Sequence, residues 1–337
     1  MLRVLDDESV IRRCRRQLLR ALRPHVTGRI AVRIGHPGES VRARVFWAEG
    51  PGLWFHAGAV AGERYLHAFG VGRPSDGGAV SSTIEINIPV SGLDRKIGGA
   101  FARDDGGRVF LVHRGRIGGR RGVGKSLFES HYRGVWSEVE EGDARSAVVV
   151  IGGLQSPRFV RQLALFVRKV EAVKGREAED DPQSRILFED DRFREECIGG
   201  RDVPGGRDHA AECDRDLCVS DLAYRLRTLG ARIGQDPSGE LFVRDASGGV
   251  AALIEVAAAT GAPSLERAVG RLMLRGASLP RQPRRWLFAP GEPGSALAAR
   301  LAALGIRVIP FGWEDGQAVF TGLTGELDEM VDARAGG

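Results

Sequence analysis

Between residue 176 and about residue 212 the chain loses its apolar periodicity: Glu177, Glu179, Asp180, Asp181, Glu189, Asp190, Asp191, Glu195 and Glu196 stand among prolines and glycines. A segment of that composition buries too little apolar surface to offset the entropy of ordering it, and it reads as an acidic, partly disordered linker. The chain is therefore expected to fold as two bodies, one on each side, and its 337 residues suffice for two cores. No apolar run approaches the roughly 18 residues of a membrane span. The best, Val250 to Ala259, is broken by Glu255.

The first body, residues 1–175, is strand-rich and glycine-rich. Residues 30–34, 42–47, 82–88, 108–113 and 147–151 read as strands, and residues 156–173 as a closing helix with Ser156-Pro157 at its start. An opening helix is predicted from Ile11, Cys14, Leu18, Leu19 and Leu22, with Asp6, Asp7 and Glu8 suiting its first turn and an arginine-rich outer face. The same acids argue against a transit peptide, and no secretory leader is read there. The class expected for this half is α+β.

Charge sharpens the reading. The 49 basic residues exceed the 44 acidic ones by five, yet the lysines are only Lys96, Lys125, Lys169 and Lys174. Any lysine-dependent chemistry must use one of these. Residues 119–126, Gly-Arg-Arg-Gly-Val-Gly-Lys-Ser, satisfy the phosphate-loop pattern G-x-x-x-x-G-K-S. Its context is poor, because residues 114–118 separate the motif from the preceding strand and only a short helix can follow it. The stretch reads better as a basic loop in which His113, Arg114, Arg116, Arg120, Arg121 and Lys125 contact phosphates while the glycines let the backbone approach. Phe128, Tyr132, Trp136, Trp54, Tyr65 and His67 are either stacking partners for bases or ordinary core. Arg95 and Lys96 would extend the basic surface.

From residue 213 to about 323 the pattern turns to alternating strands and helices: a helix at 217–229, strands at 241–244 and 250–256, a helix at 264–275, a strand at 285–288, a helix at 297–304 and a strand at 306–310. Short strand–helix–strand connections predict an α/β body with a mixed sheet flanked by helices, followed by a tail at 324–337.

The run Gly239-Glu240-Leu241-Phe242-Val243-Arg244-Asp245, then Ala252-Leu253-Ile254-Glu255-Val256-Ala257, then Ala268 to Leu274, resembles the PD-(D/E)XK restriction-endonuclease-like superfamily in its Mrr and RecB-type branches. The resemblance implies that Glu240 and Glu255 would be both the catalytic acids and the ligands of magnesium. It also implies a lysine where this chain has Ala257, and a glutamine on the next helix where it has Arg271. Alanine moves no proton and arginine stays protonated, so the site reads as degenerate. The alternative reading of both glutamates is as strand-end acids paired with the abundant arginines.

Four cysteines in a chain this long make no disulfide framework and suit a reducing cytoplasm. Cys197, Cys213 and Cys218 with His209 lack the paired spacing of a zinc knuckle, so zinc is not expected. Together these features suggest a DNA-binding protein (RNA is a second choice) of a bacterial restriction or defence type, carrying a nuclease-like domain that reads as inactive. A homodimer or an active nuclease partner is compatible with it, and no membrane is involved. The competing expectations are an active magnesium-dependent endonuclease and a phosphate-loop nucleotide-binding protein.

Overall fold

The computed structural model describes residues 1–36, 39–118, 123–176, 208–236 and 239–335. Most of the acidic segment, with Cys197, lies outside them, as do Arg120 and Arg121. The described residues divide into two compact units, one holding the residues up to 176 together with 208–213, the other the residues from 214 on.

In the first unit, β1 (Leu2–Val4) leads to α1 (Glu8–Leu22), where the Asp7 carboxylate accepts the Val10 amide at 2.9 Å and satisfies one of the helix's orphan donors. Ile11, Cys14, Leu18 and Leu22 are buried along one face, as their spacing predicts. Next come the long strands β2 (Val26–His36), β3 (Glu39–Ala48), β4 (Leu53–Ala61) and β5 (Arg64–Val71), and the short β6 (Ala79–Val80), β7 (Ile84–Glu85) and β8 (Ile88–Pro89). They form one sheet in the order β6-β2-β3-β4-β5-β7, with β8 also on β5.

The strands β9 (Gly99–Arg103), β10 (Val109–His113), β11 (Trp136–Glu141) and β12 (Ala144–Gly153) close with β1 into a five-stranded barrel. Its alternation is clean: Ala100, Ala102, Phe110, Val112, Val148 and Val150 belong to one core, whereas Phe101, Leu111, Val149 and Ile151 belong to another. That second core also takes in α1, the sheet residues Phe55, Tyr65 and Phe69, and α3 (Phe159–Arg176); the seven-residue α2 (Lys125–His131) adds Phe128.

Helix α4 (His209–Thr228) begins eight residues before the expected 217. Its first turn belongs to the first unit, where the His209 imidazole is 2.8 Å from the Ser137 hydroxyl and the Cys213 thiol donates to the Val150 carbonyl.

The second unit is a six-stranded sheet in chain order: β13 (Ile233–Gln235), β14 (Leu241–Arg244), β15 (Val250–Val256), β16 (Arg284–Pro290), β17 (Ile306–Glu314) and β18 (Gln317–Phe320). The first three strands and the last pair are antiparallel, while β15, β16 and β17 run parallel. Parallel neighbours need crossovers, supplied by α5 (Ala262–Ala277) and α6 (Ser295–Ala303). The mixed sheet flanked by helices is as the sequence implies. Ala252, Ile254, Val256, Trp286 and Phe288 pack on the side of α4, and Leu253, Ala257, Leu287 and Ala289 on the side of α5 and α6. The expected tail is instead α7 (Leu323–Ala335), whose Leu323 and Leu327 complete the first of these cores.

Candidate functional site

Glu240 immediately precedes β14 and Glu255 lies near the end of β15, so a sheet register built from apolar alternation carries both carboxylates to one place. Glu255 sits between Leu253 and Ala257 in the α5-facing row and has no exposed surface; Glu240 is nearly as buried. Burying carboxylates is costly unless they are paired and hydrogen-bonded. Here the partners are guanidinium groups from two helices.

From α4, the Nη2 of Arg215 donates to both oxygens of Glu240 at 2.6 Å and to Oε1 of Glu255 at 3.0 Å, while its Nε donates to the Val256 carbonyl at 2.7 Å. From α5, Arg271 pairs with Glu255 Oε1 at 2.5 Å. One turn later Arg275 reaches Asp236 at 3.0 Å and Glu255 Oε2 at 3.7 Å, and donates to the Ile254 and Leu241 carbonyls. Asp236 in turn accepts the Glu240 amide. Three carboxylates thus meet three guanidinium groups, and the cluster is formally neutral.

Its titration follows from this geometry. Burial pushes Glu240 up, but the charge and hydrogen bonds of Arg215, with Arg271 and Arg275, outweigh it and hold the carboxyl below its ordinary value. Burial raises Glu255 above its ordinary value, with Arg215 pulling down and the adjacent Glu240 carboxylate pushing up. One charge of the pair is held firmly, and the other bears the cost of burial.

The donor set does not fit a magnesium ion. Hard cations need free carboxylate oxygens, and a guanidinium occupies the position between these two acids. Ala257, in the core, stands where the resemblance implies a lysine. More broadly, among the described residues no group of three or more His, Cys, Asp or Glu side chains is arranged to hold a metal ion. Cys218 is buried in the second unit's core and its thiol is pushed up by burial, a setting for an inert thiol. The pairing reading of the two glutamates was open in the sequence. Arg215 and Arg275 were missed, although Arg275 follows Arg271 at the spacing that puts both on one helix face.

The basic loop of the first unit divides. His113 has no exposed surface, accepts the Gly115 amide on Nδ1, and is depressed to about 4, chiefly by burial. Arg114 is also buried: its Nε and Nη2 donate to Glu141 Oε1 at 2.9 and 2.5 Å, and Nη1 to the Ile97 carbonyl at 2.7 Å. Neither is presented to a phosphate. Arg116 is exposed, with no partner among the described residues, and Lys125 is partly exposed, 3.8 Å from Glu129. Arg120 and Arg121 lie outside the described residues. Arg95 bridges to Glu141 at 3.4 Å, and Lys96 is exposed.

The phosphate-loop letters lack the matching frame: β10 has antiparallel neighbours, Ile117 and Val123 pair across the loop, and α2 has only seven residues. Phe128, Tyr132, Trp54, Tyr65 and His67 are buried, and Trp136 packs edge-on against Phe128, so these rings are core rather than a stacking platform. No protein family, curated protein or solved structure matches the chain.

Proposed function

We propose that the chain is a DNA-binding protein of a bacterial restriction or defence kind whose C-terminal unit keeps a nuclease-like frame without cleavage chemistry. The observation that carries the reading is Arg215 lying between Glu240 and Glu255. A restriction-endonuclease-like frame needs those acids free to bind a metal, and here a permanent cation neutralises them. The element order supports the frame: a helix, an antiparallel three-stranded meander, then a crossover helix to a parallel strand. The exposed Arg116 and Lys125 support contact with a polyanion, an interaction that requires no metal.

Duplex retention by the full chain in chelator, followed as salt is raised, tests this. Retention at low salt that falls steeply as salt increases is the expected outcome. Absence of any retention at the lowest salt overturns it.

A further inference from the structure

The strands β2 and β3 pair along their length, and the two faces of that pair have opposite character. Residues directly opposite across an antiparallel pair project to the same side. The register pairs Arg33 with Arg42, Ala31 with Arg44 and Arg29 with Phe46. One face of β2–β3 therefore carries Arg29, Arg33, Arg42 and Arg44, all exposed, and the same rows contain no carboxylate. The other face carries Ile30, Val32, Val45 and Trp47, buried in their own core with Trp54 and Ala68. The apolar face fixes the register, so the arginines cannot turn away without exposing that core.

Two features set this face apart from an ordinary solvated surface. Arg33 and Arg42 stand directly opposite each other, an arrangement of like charges that disfavours the ribbon in isolation. None of the four guanidinium groups makes a hydrogen bond or ion pair among the described residues. Asp76, beside β2, accepts the Ala31 amide at 3.2 Å. The guanidinium of Arg29 lies 5.4 Å above the Phe46 ring, which covers the one aromatic of the face. No uncovered ring is left to stack on an unpaired base, and no aliphatic chain stands among the arginines to enter a bilayer.

We propose that the arginine face of β2–β3 is a docking surface for the phosphate backbone of double-stranded DNA. The proposal rests on the DNA-binding reading above and assigns it to residues outside the glycine-rich loop. The full chain and its R29A/R33A/R42A/R44A variant are compared by fluorescence anisotropy on a random-sequence duplex, the matching single strand and anionic phosphatidylserine vesicles, at several salt concentrations. A second variant, R225A/R227A/R281A/R300A, removes equal charge from exposed positions of the second unit.

Removing four guanidinium groups that each neutralise a phosphate makes the slope of log affinity against log salt shallower by about 3–4 for the ribbon variant. The control variant keeps a slope near that of the parent chain. The all-lysine ribbon variant, R29K/R33K/R42K/R44K, retains most of the duplex affinity, and circular dichroism shows the alanine ribbon variant melting no lower than the parent. Duplex binding by the parent with an unchanged slope in the ribbon variant overturns this proposal and leaves the DNA-binding reading standing. Absence of duplex binding by the parent overturns both. Tighter binding to the single strand or to vesicles than to duplex also overturns the docking surface.

Discussion

A guanidinium shared by two buried carboxylates makes each of the three groups dependent on the others. Arg215→Met leaves Glu240 and Glu255 with a buried negative charge that lacks its main partner, and such losses cost about 3–5 kcal/mol. Urea denaturation should show a destabilisation of that order, largely recovered in Arg215→Met/Glu240→Gln/Glu255→Gln; a loss below about 1 kcal/mol would mean the cluster is solvated.

His113 makes a second prediction. Its pKa of about 4 lies below the ordinary 6.5 because burial excludes the charged form. His67 is depressed to about 4 for the same reason, with the Arg15 charge adding to it. A group with a depressed native pKa gives its full stabilisation above 6.5 and loses it as pH falls from 6.5 towards 4, up to about 3 kcal/mol for each imidazole. The melting temperature should fall through that window, and fall less in His113→Asn, whose amide oxygen can still accept from Gly115; equal slopes would contradict the assignment. From sequence, His113 and Arg114 looked like members of a basic loop. Letters alone do not show that His113 at the end of β10 and Arg114 just after it are both buried, nor that Glu141, 27 residues away, supplies the buried counter-charge.

At the scale of elements, the helices with strong period and local caps were legible. In α1 the apolar positions and the Asp7 cap agree, and Asp7→Ala should lower the melting temperature in thermal denaturation, with no change pointing to a cap replaced by water. The start of α4 was obscured because Asp208, Glu212, Asp214 and Asp216 continue the acidic composition of the preceding segment. Yet Asp208 accepts the Ala210 amide at the helix start and so acts as a cap. α7 looked like a tail; among its described side chains, Leu323 and Leu327 are the buried apolar ones.

Barrel closure was not legible at all. β1 has three residues and pairs in parallel with β11, more than 130 positions away, and no local pattern encodes such a partner. The sheet has a comparable hidden constraint at Gly70, where a Cβ would overlap the Trp54 indole. Gly70→Ala should displace that ring from the Ile30–Trp47 core and cost about 1–3 kcal/mol, with a changed Trp fluorescence spectrum; an unshifted spectrum and unchanged stability would show that the site relaxes freely.

Over the whole molecule, a net charge of +5 conceals the arrangement of its parts. In the second unit Arg215, Arg271 and Arg275 turn towards buried acids, and in the first Arg29, Arg33, Arg42 and Arg44 stand exposed on one side of β2–β3. This contrast could not be read from composition, because arginine count says nothing of which side of a sheet a side chain leaves. Under the proposed function, it separates the two roles that a nuclease combines, holding a polyanion and cutting it. The shortage of lysine fits: Lys169 and Lys174 donate to the backbone carbonyls of Arg133 and Gly118 within the first unit, and no lysine lies in the second.

The decisive measurement is incubation of supercoiled plasmid with the purified chain in magnesium or manganese, beside Glu255→Gln, with duplex binding followed in the same samples. The expected outcome is bound but uncut plasmid, identical for the parent chain and Glu255→Gln. Metal-dependent nicking by the parent that disappears in Glu255→Gln would contradict it.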